Sequence, residues 1–404
     1  MKLIDGKYAT AKVFTDNIEE SASQQILSLC NQSFVDGCKI RIMPDVHAGT
    51  GCVIGFTADL GNKVIPSIVG VDIGCGMLVA ELGKNHIDPK KLDEVIHGRV
   101  PAGMAVHEEP TLEENFLDDL TCKDSLHNID RIVRSLGTLG GGNHFIELDK
   151  DEDDNQYLVI HTGSRNLGKQ VAEYYQNVAT SNLKGKNKKK EAVDALINQL
   201  KAEGREKEIS QKLSELNFKF PDIPNELCYL EGKDREAYLH DMKICQNFAT
   251  MNRLHIMNEI LNGVGLQEKI PEIHFFQTVH NYIDMSDNII RKGSVSAKKG
   301  ERLIIPLNMK DGSLICIGKG NPDWNCSAPH GAGRMYSRVA AKKAFSIDEF
   351  KKQMDGIYST SVNEDTLDEC PMAYKPSQEI IDAISPTVEI INHIKPVYNF
   401  KAGE

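Results

Sequence analysis

The sequence predicts a single α+β domain, residues 1–404, with a mixed β-sheet core, surrounding helices and one helical excursion. Short apolar runs bounded by Gly, Asp or Pro are typical of buried strands. Helical spacing of apolar residues is concentrated in the middle of the chain. The residues with the clearest chemical character lie before and after that middle part. One site assembled from distant segments implies one domain.

The predicted strands are short and apolar. Turn-forming residues flank each of them and limit its length to a few residues. The clearest are residues 52–57, 157–160, 302–306 and 313–317.

The helical excursion is predicted from about residue 170 to residue 262. Apolar residues with i, i+3, i+4, i+7 spacing mark its first part: Val193, Leu196, Ile197, Leu200, Ile209, Leu213 and Leu216. A second helical stretch covers about residues 234–261. Pro221 and Pro224 separate the two stretches, because proline breaks a helix.

Charge and hydropathy exclude several protein classes. The formal net charge is −11, the opposite of the balance in proteins that wrap duplex nucleic acid, so a nucleic-acid contact would need a local basic patch. The longest apolar stretch, residues 64–80, is interrupted by Pro66 and Asp72, which excludes a membrane-spanning helix. Asp5 lies where a signal peptide needs an apolar core. We therefore predict a cytoplasmic protein without membrane contact.

Four histidines lie in polar, glycine-rich contexts that present a side chain with room for a ligand: His144, His161, His280 and His330. Any one of them could be a hydrogen-bonded loop histidine. Four such contexts in one chain indicate a functional site.

The segment VGVDIGCGM places Asp72 and Cys75 three residues apart in a glycine-rich turn, so both can reach one ion. The ten cysteines include no CxxC pair, and nine of them are expected to be buried small hydrophobes. A thiolate beside imidazoles favours Zn²⁺, Mn²⁺ or a similar divalent metal. Three histidines, a carboxylate and a thiolate exceed the needs of one tetrahedral site, whereas two metals bridged by the thiolate would use all five.

Two segments have the character of phosphate-binding turns. HTGSRNLG offers backbone N–H groups at a helix start and the Arg165 guanidinium. HGAGRMYSR combines Gly331 and Gly333, which let a phosphate approach the backbone, with Arg334 and Arg338. The chain has no GxxxxGK[ST] motif, no GxGxxG motif and no KxDG lysine nucleophile. A covalent nucleotide intermediate would therefore form on another group, for which a neutral histidine nitrogen is the natural candidate.

Six ordered motifs together resemble the RtcB family of RNA-splicing ligases. They span nearly the whole chain: MPDVHAGTGCVIG (43–55), VGVDIGCGM (69–77), LGTLGGGNHFIE (136–147), VIHTGSRNLG (159–168), RKGSVSAKKG (291–300) and APHGAGR (328–334).

The resemblance implies a GTP-dependent ligase that joins an RNA 3′-phosphate or 2′,3′-cyclic phosphate end to a 5′-hydroxyl end, in RNA splicing or repair. It implies two Mn²⁺ ions, or Zn²⁺ or another divalent metal, and His330 as the nucleophile that attacks the α-phosphorus of GTP. The implied metal ligands are Asp72, Cys75, His144, His161 and His280, with Cys75 bridging. The implied nucleotide contacts are Asn143, His144, Glu147, Asn308, Ser313, His330, Gly331, Gly333, Arg334, Tyr374 and Lys401.

One departure indicates a divergent branch. Typical members have Pro-Gly-Ser-Met where this chain has Pro306, Leu307, Asn308 and Met309, beside the expected guanine and ribose. The amide of Asn308 can hydrogen-bond in place of a serine, so nucleotide binding is expected to persist while strict selectivity for guanine stays open.

Two other functions stay open: a dinuclear metal-dependent phosphoesterase without nucleotide transfer, and an RNA-binding module without activity. RNA is expected along a strip near Arg165, Arg334 and Arg338 that extends toward residues 291–299. Asp45 and His47 are partners of site residues, contacts to RNA, or parts of a structural turn. For the helical excursion we favour a scaffold over a gate or an RNA-recognition element. The physiological RNA, the oligomeric state and the involvement of an accessory activating protein stay open.

Overall fold

The computed structural model describes residues 1–216 and 221–403, without the side chains of residues 186–188, 191 and 192. Its strands are β1 (Lys2–Asp5), β2 (Thr10–Val13), β3 (Ile40–His47), β4 (Ile54–Asp59), β5 (Gly76–Gly83), β6 (Phe145–Lys150), β7 (Gln156–Thr162), β8 (His274–Val279), β9 (Asn281–Asp284), β10 (Ile289–Lys292), β11 (Ser294–Ser296), β12 (Arg302–Asn308), β13 (Gly312–Gly318), β14 (Ser327–Pro329) and β15 (Val388–Phe400). The predicted strands at 157–160, 302–306 and 313–317 are confirmed as parts of β7, β12 and β13, and the one predicted at 52–57 is confirmed from residue 54, where β4 begins.

The helices in the same ranges are α1 (Glu20–Cys30), α2 (Pro66–Val69), α3 (Pro89–Arg99), α4 (Ile129–Val133), α5 (Arg165–Leu183), α6 (Lys186–Ala202), α7 (Ile209–Glu215), α8 (Gly232–Gly263), α9 (Arg338–Ala344), α10 (Ile347–Gln353) and α11 (Ser377–Ile384). The helical excursion is confirmed, although it begins at Arg165, earlier than predicted. No helix in the described ranges is both long and apolar enough to cross a membrane.

The strands form a six-stranded sheet of order β1-β2-β3-β4-β10-β9, a seven-stranded sheet of order β12-β13-β15-β6-β7-β5-β8, and a β11-β14 pair. The pair β2–β3 is parallel, and the other pairs in these sheets are antiparallel, which agrees with the predicted mixed core. The seven-stranded sheet curls: the backbone N–H of Ile304 on edge strand β12 donates to Thr278 Oγ1 on edge strand β8, at 3.3 Å. Its inner face therefore surrounds an apolar interior.

Helix α8 joins the two largest apolar cores. Its N-terminal half, including Met242 and Phe248, packs into the core beneath the six-stranded sheet together with α1 and α5. Its C-terminal half, including Ile256 and Ile260, packs into the core between α3 and the outer face of the seven-stranded sheet. Because one continuous helix is buried in both cores, this part of the excursion belongs to the main body of the fold. The scaffold role of the excursion stays a prediction. The single-domain assignment stays a prediction.

All ten cysteines are free thiols. Eight are buried, and Cys38 and Cys326 are half-buried. This agrees with the expectation that most of them are small core residues, with Cys75 in a different setting.

Candidate active site

The candidate metal ligands meet at one end of four neighbouring strands. Cys75 directly precedes β5, His144 directly precedes β6, His161 is the penultimate residue of β7, and His280 directly follows β8. The order β6-β7-β5-β8 and the antiparallel register bring these positions side by side, with Phe145 opposite His161 and Gly76 opposite both Thr162 and Val279. Sheet topology therefore brings together residues that are more than two hundred positions apart in sequence, such as Cys75 and His280.

The side chains of this cluster lie within direct contact distance. Cys75 Sγ is 3.4 Å from His144 Nε2 and 3.3 Å from His161 Nε2. His161 Nε2 is 3.4 Å from His280 Nε2, and Asp72 Oδ2 is 3.0 Å from His144 Nε2. The five predicted ligands are thus brought together, and Cys75, His144 and His161 converge closely enough to hold one ion.

Hydrogen bonds fix the tautomers of two of these histidines. The Nδ1–H of His144 donates to the carbonyl of Leu139 (2.8 Å), and the Nδ1–H of His161 donates to the carbonyl of Asn143 (3.1 Å). Each Nε2 therefore points into the cluster: that of His161 carries a lone pair, and that of His144 also faces the Asp72 carboxylate, to which it donates when it is protonated. The single thiol proton of Cys75 can satisfy only one of these nitrogens. The donor set fits a divalent metal, which would accept the remaining lone pairs.

Electrostatics also prepare the cluster for a cation. Burial, together with the neighbouring histidines, holds the pKa values of His161 and His280 well below the usual range, so both rings are neutral. Burial and the Asp72 carboxylate raise the pKa of Cys75 well above that of a free thiol. Burial opposes ionisation of Asp72, but hydrogen bonding and charge interaction with His144 keep the pKa of Asp72 below its usual value. The result is a buried, electron-rich site.

The turn between β7 and α5 supports Asp72 instead of exposing its N–H groups. The backbone N–H of Ser164 donates to Asp72 Oδ1 at 3.1 Å, at the N-terminus of a 19-residue helix. A Cβ on Gly163 would lie 2.2 Å from the same oxygen, so the residue here must be glycine. The expectation that this turn presents its N–H groups to a phosphate is therefore wrong for Ser164.

His330 lies beside the cluster and is held by a buried carboxylate. Its ring centroid is 4.8 Å from that of His280. Its Nδ1–H donates to Asp45 Oδ2 at 2.7 Å, and its backbone N–H donates to the same oxygen at 3.2 Å. Asp45 is fully buried, and Gly333 lies so close that a Cβ there would approach the Asp45 carbonyl to 2.2 Å. Asp45 is therefore a partner of a site residue, one of the three interpretations left open by the sequence.

A cavity of about 560 Å³ extends from His161 and His330 toward the C-terminal segment. It is large enough for a nucleotide. The predicted nucleotide contacts that line it are Asn143, Glu147, Asn308, His330, Gly331, Gly333, Arg334, Tyr374 and Lys401. His144 belongs to the metal cluster instead, and Ser313 is fully buried outside the lining. The amide of Asn308 is engaged by Asp311 and the following backbone, within the β12–β13 turn.

A buried carboxylate organises the cationic side of the cavity. Glu369 accepts from Arg334 (2.8 Å), Lys401 (2.6 Å) and the hydroxyl of Tyr374 (2.5 Å), and it lies 3.0 Å from Arg338. Burial opposes its ionisation, but Lys401, Arg338 and Arg334 together lower the pKa of Glu369 to about 2. Glu369 was not predicted from the sequence, because no spacing relates it to the residues that it contacts.

Several buried polar atoms have no hydrogen-bond partner among the described residues, and two of the residues that carry them, Glu147 and Asn399, line the cavity. These atoms include Glu147 Oε1, both carboxylate oxygens of Asp149, Ser313 Oγ and Asn399 Oδ1. Glu147 and Asp149 are alternate residues of β6 and therefore share one face of the sheet. Burial raises the pKa of Glu147 to about 7, and burial together with Glu147 raises the pKa of Asp149 well above its usual value. Polar atoms of this kind suit a ligand that donates several N–H groups.

The arginines predicted to bind RNA either line the cavity or are held by contacts elsewhere in the protein. Arg338 lines the cavity. Arg165 lies against Gly140 and donates to Thr138 Oγ1 and to the Gly103 carbonyl. Arg291 is fully buried and ion-paired with Asp284 and Asp287. The expectation that the RNA strip reaches Arg291 is therefore wrong, because that guanidinium is a structural group without access to solvent.

Comparison with known proteins supports the same identification. The family model described as tRNA-splicing ligase RtcB matches residues 28–125 and 107–402, nearly the whole chain. The chain belongs to the RtcB family. It is 30% identical to the RNA-splicing ligase RtcB of Escherichia coli strain K12, over 98% of both chains. It is 28% identical to the tRNA-splicing ligase RtcB of Nanoarchaeum equitans, over 84% of this chain and 83% of that protein. Membership of the RtcB family supports an RNA ligase as the class of enzyme.

Proposed function

We propose that this protein is a GTP- and Mn²⁺-dependent RNA ligase that joins a 3′-phosphate or 2′,3′-cyclic phosphate end to a 5′-hydroxyl end through a guanylylated His330. The observation that carries the proposal is the His330–Asp45 pair at the boundary between the metal cluster and the cavity. Because Nδ1–H of His330 donates to Asp45 at 2.7 Å, Nε2 holds the lone pair that a nucleophile needs.

Residues of the chain would perform each step of guanylylation. Arg334, Lys401 and Asn143 line the cavity, where they would bind the phosphates and base of GTP. His330 Nε2 attacks the α-phosphorus, and the bond from that phosphorus to the bridging oxygen breaks, which releases pyrophosphate. Asp45 stabilises the positive charge that develops on the ring through its Nδ1–H hydrogen bond. Asp72, Cys75 and the three cluster histidines would hold divalent cations, which would neutralise the negative charge of the phosphates.

Joining then proceeds by two displacements. An oxygen of the RNA 3′-phosphate attacks the guanylyl phosphorus, and His330 leaves as a neutral imidazole. The 5′-hydroxyl attacks the activated 3′-phosphate, loses its proton and expels GMP. A cyclic phosphate end must first be opened by hydrolysis. For base choice, the unpartnered acceptors at Glu147 and Asn399 suit guanine, which donates three N–H bonds from N1 and N2, better than adenine.

The test is transfer of label from α-³²P-labelled GTP to the protein with Mn²⁺, and with ATP in parallel, followed by a denaturing gel. We expect an acid-labile, base-stable label from GTP. His330→Ala should abolish it while bound metal, measured by elemental analysis, persists. Asp45→Asn should slow it about 10- to 100-fold, because such partners tune a histidine by that amount. His274→Ala, an exposed histidine outside the cavity lining, is the matched control.

The alternative is a metal-dependent phosphoesterase built on the same ligands. A hydrolase needs neither His330 as nucleophile nor GTP, so His330→Ala would leave part of its activity. Absence of label from both nucleotides in the metal-loaded protein would contradict the ligase proposal and favour the phosphoesterase. Label from ATP as well as GTP would show that base choice is relaxed.

A further inference from the structure

A cluster of exposed apolar side chains lies on one wall of the cavity. Met335, Tyr336 and Val339 are 52%, 37% and 66% exposed, and all three fall within five consecutive residues. Met335 and Tyr336 line the same cavity as His330. Single exposed hydrophobic residues are ordinary, whereas a cluster at the mouth of a functional cavity indicates a binding surface.

The backbone beneath this cluster is fixed. Arg334 pairs with Tyr374 in a short antiparallel bridge, and the N–H of Met335 donates to the carbonyl of Ala373 at 2.9 Å. The Tyr336 ring packs edge-on against Phe345, with ring centroids 5.1 Å apart. The exposed aromatic ring is therefore held in place before any ligand arrives, which reduces the entropic cost of binding.

The same wall is cationic in a protein that is acidic overall. Helix α9, with the sequence RVAAKKA, contains Arg338, Lys342 and Lys343 and no acidic residue. Arg338 lines the cavity. Lys343 is four residues after Val339, so the side chains of Val339 and Lys343 share one helical face. Both Val339 and Lys343 are exposed. The buried carboxylates of Asp368 and Glu369 offset part of this charge, because they pair with Arg338 and Lys342. Against a net charge of −11, three cations on one short helix still form a local region suited to an anionic partner.

We infer that Met335, Tyr336, Arg338, Val339 and Lys343, here called the Tyr336 wall, bind the unpaired nucleotides at an RNA end, with a base stacked on Tyr336. An exposed aromatic ring beside cations is the combination that binds single-stranded nucleic acid, because every base has a π-face and every nucleotide a phosphate. A base inside a duplex has both faces covered by its neighbours, so the wall selects unpaired ends. This inference rests on the proposed function and specifies its RNA substrate.

The test measures binding of a 3′-phosphorylated, single-stranded ten-nucleotide RNA to the full-length protein by fluorescence anisotropy at fixed salt. Tyr336→Ala should weaken binding about 5- to 100-fold, the range found when one base-stacking aromatic is removed. Tyr336→Phe keeps the ring and should stay within about threefold of the wild type. Phe275→Ala, an exposed aromatic outside the cavity lining, should have no effect. Lys343→Glu should weaken binding, whereas Lys2→Glu, with the same charge change on the exposed strand β1, should not.

An abasic nucleotide locates the stacked base. An abasic nucleotide at one of the last three positions of the RNA should lower the affinity of the wild-type protein. The same RNA should cause no further loss of affinity in Tyr336→Ala, because that variant already lacks the ring on which the base stacks. In Tyr336→Ala, the loss of RNA affinity should also exceed any loss in the rate of guanylylation by at least about fivefold.

Three results would overturn the inference. If Tyr336→Ala bound RNA with wild-type affinity, the Tyr336 wall would not be an RNA-binding surface. An acidic protein surface with apolar side chains would then remain as its partner. Equal losses of RNA binding and guanylylation would assign Tyr336 to the nucleotide. Equal affinity for a duplex of the same sequence would exclude selection of unpaired ends. If the wild type takes no label from GTP but binds RNA through Tyr336, the proposed ligase function fails and this inference stands.

Discussion

Asp149 shows what one buried residue reveals about a site. Its carboxylate is fully buried, and neither oxygen has a partner among the described residues. An ionised carboxylate in this position would cost several kcal/mol, so the group keeps its proton. Glu147, two residues earlier on the same face, then has a neutral neighbour and can ionise when a ligand donates to it. Polar groups left unsatisfied in this way are characteristic of functional sites.

Asp149 also sets an expected pH dependence of stability. Its folded-state pKa lies well above the value of about 3.9 in an unfolded chain, so its contribution is fully present below that value and is lost as the pH rises. Each pH unit in that window costs about 1.4 kcal/mol. Asp149→Asn removes this loss, so the variant should gain stability relative to the wild type between pH 6 and pH 8.

Chemical denaturation of the metal-free protein at the two pH values measures this effect. Asp153→Asn, an exposed aspartate in the β6–β7 turn, is the control and should follow the wild type. Parallel pH profiles for Asp149→Asn and the wild type would contradict the prediction.

Residues that would contact a metal or a substrate directly were predictable from the sequence, and residues whose role depends on their tertiary partners were not. The contexts of His144, His161, His280 and His330 are local, because glycine and polar neighbours are adjacent in the chain. Arg291 belongs to the basic segment RKGSVSAKKG, yet its side chain is fully buried and paired with Asp284 and Asp287. Burial of a charge depends on tertiary partners, which a motif does not encode.

At the scale of elements, helix α8 supports the loops that carry the metal ligands. Asn252 accepts from the N–H groups of Gly137 (2.7 Å) and Thr138 (3.1 Å), and it donates to the carbonyl of Gly163 (3.2 Å). Arg253 donates to the carbonyls of Gly74 (3.0 Å) and Thr162 (2.8 Å). The helical periodicity of this region was predictable. Its support of loops 90 to 180 positions away was not, because hydrogen bonds to backbone carbonyls leave no sequence signature.

Arg253 should therefore be among the most sensitive positions of α8. Arg253→Met removes the donors to two buried carbonyls, and an unsatisfied buried group costs about 1–3 kcal/mol. We expect a loss of about 3–5 kcal/mol in unfolding free energy and weaker metal retention, because the loops at Gly74 and Thr162 lose their alignment. Thermal unfolding and metal content measure the two effects.

Arg205→Met is the matched control for this prediction. Arg205 makes exposed ion pairs with Glu203 and Glu208, and exposed pairs of this kind contribute little to stability. A similar loss of stability in both variants would mean that the buried hydrogen bonds of Arg253 do not determine the stability of this region.

At the scale of the whole molecule, an acidic protein must concentrate its RNA contacts. The net charge of −11 repels a polyanion over most of the surface, whereas Arg334, Arg338 and α9 form a cationic region beside the cavity. Arg334 follows His330 by four residues, so that region lies next to His330 and the metal cluster. Attraction is therefore confined to the place where the proposed chemistry occurs.

This distribution predicts a shallow salt dependence of RNA binding. A single strand that contacts three or four cations should show a slope of log K against log salt of about −2 to −3, since each phosphate contributes about −0.7. Lys343→Glu should make the slope shallower by at least about 0.7, and Lys2→Glu should leave it unchanged, because the prediction concerns local charge and both variants change the net charge equally. Anisotropy titrations from 50 to 300 mM salt, roughly the range in which such slopes are resolved, provide the measurement. A slope steeper than about −5 would require seven or more phosphate contacts, more than the cavity wall and α9 offer, and would mean that RNA follows a longer path over the protein.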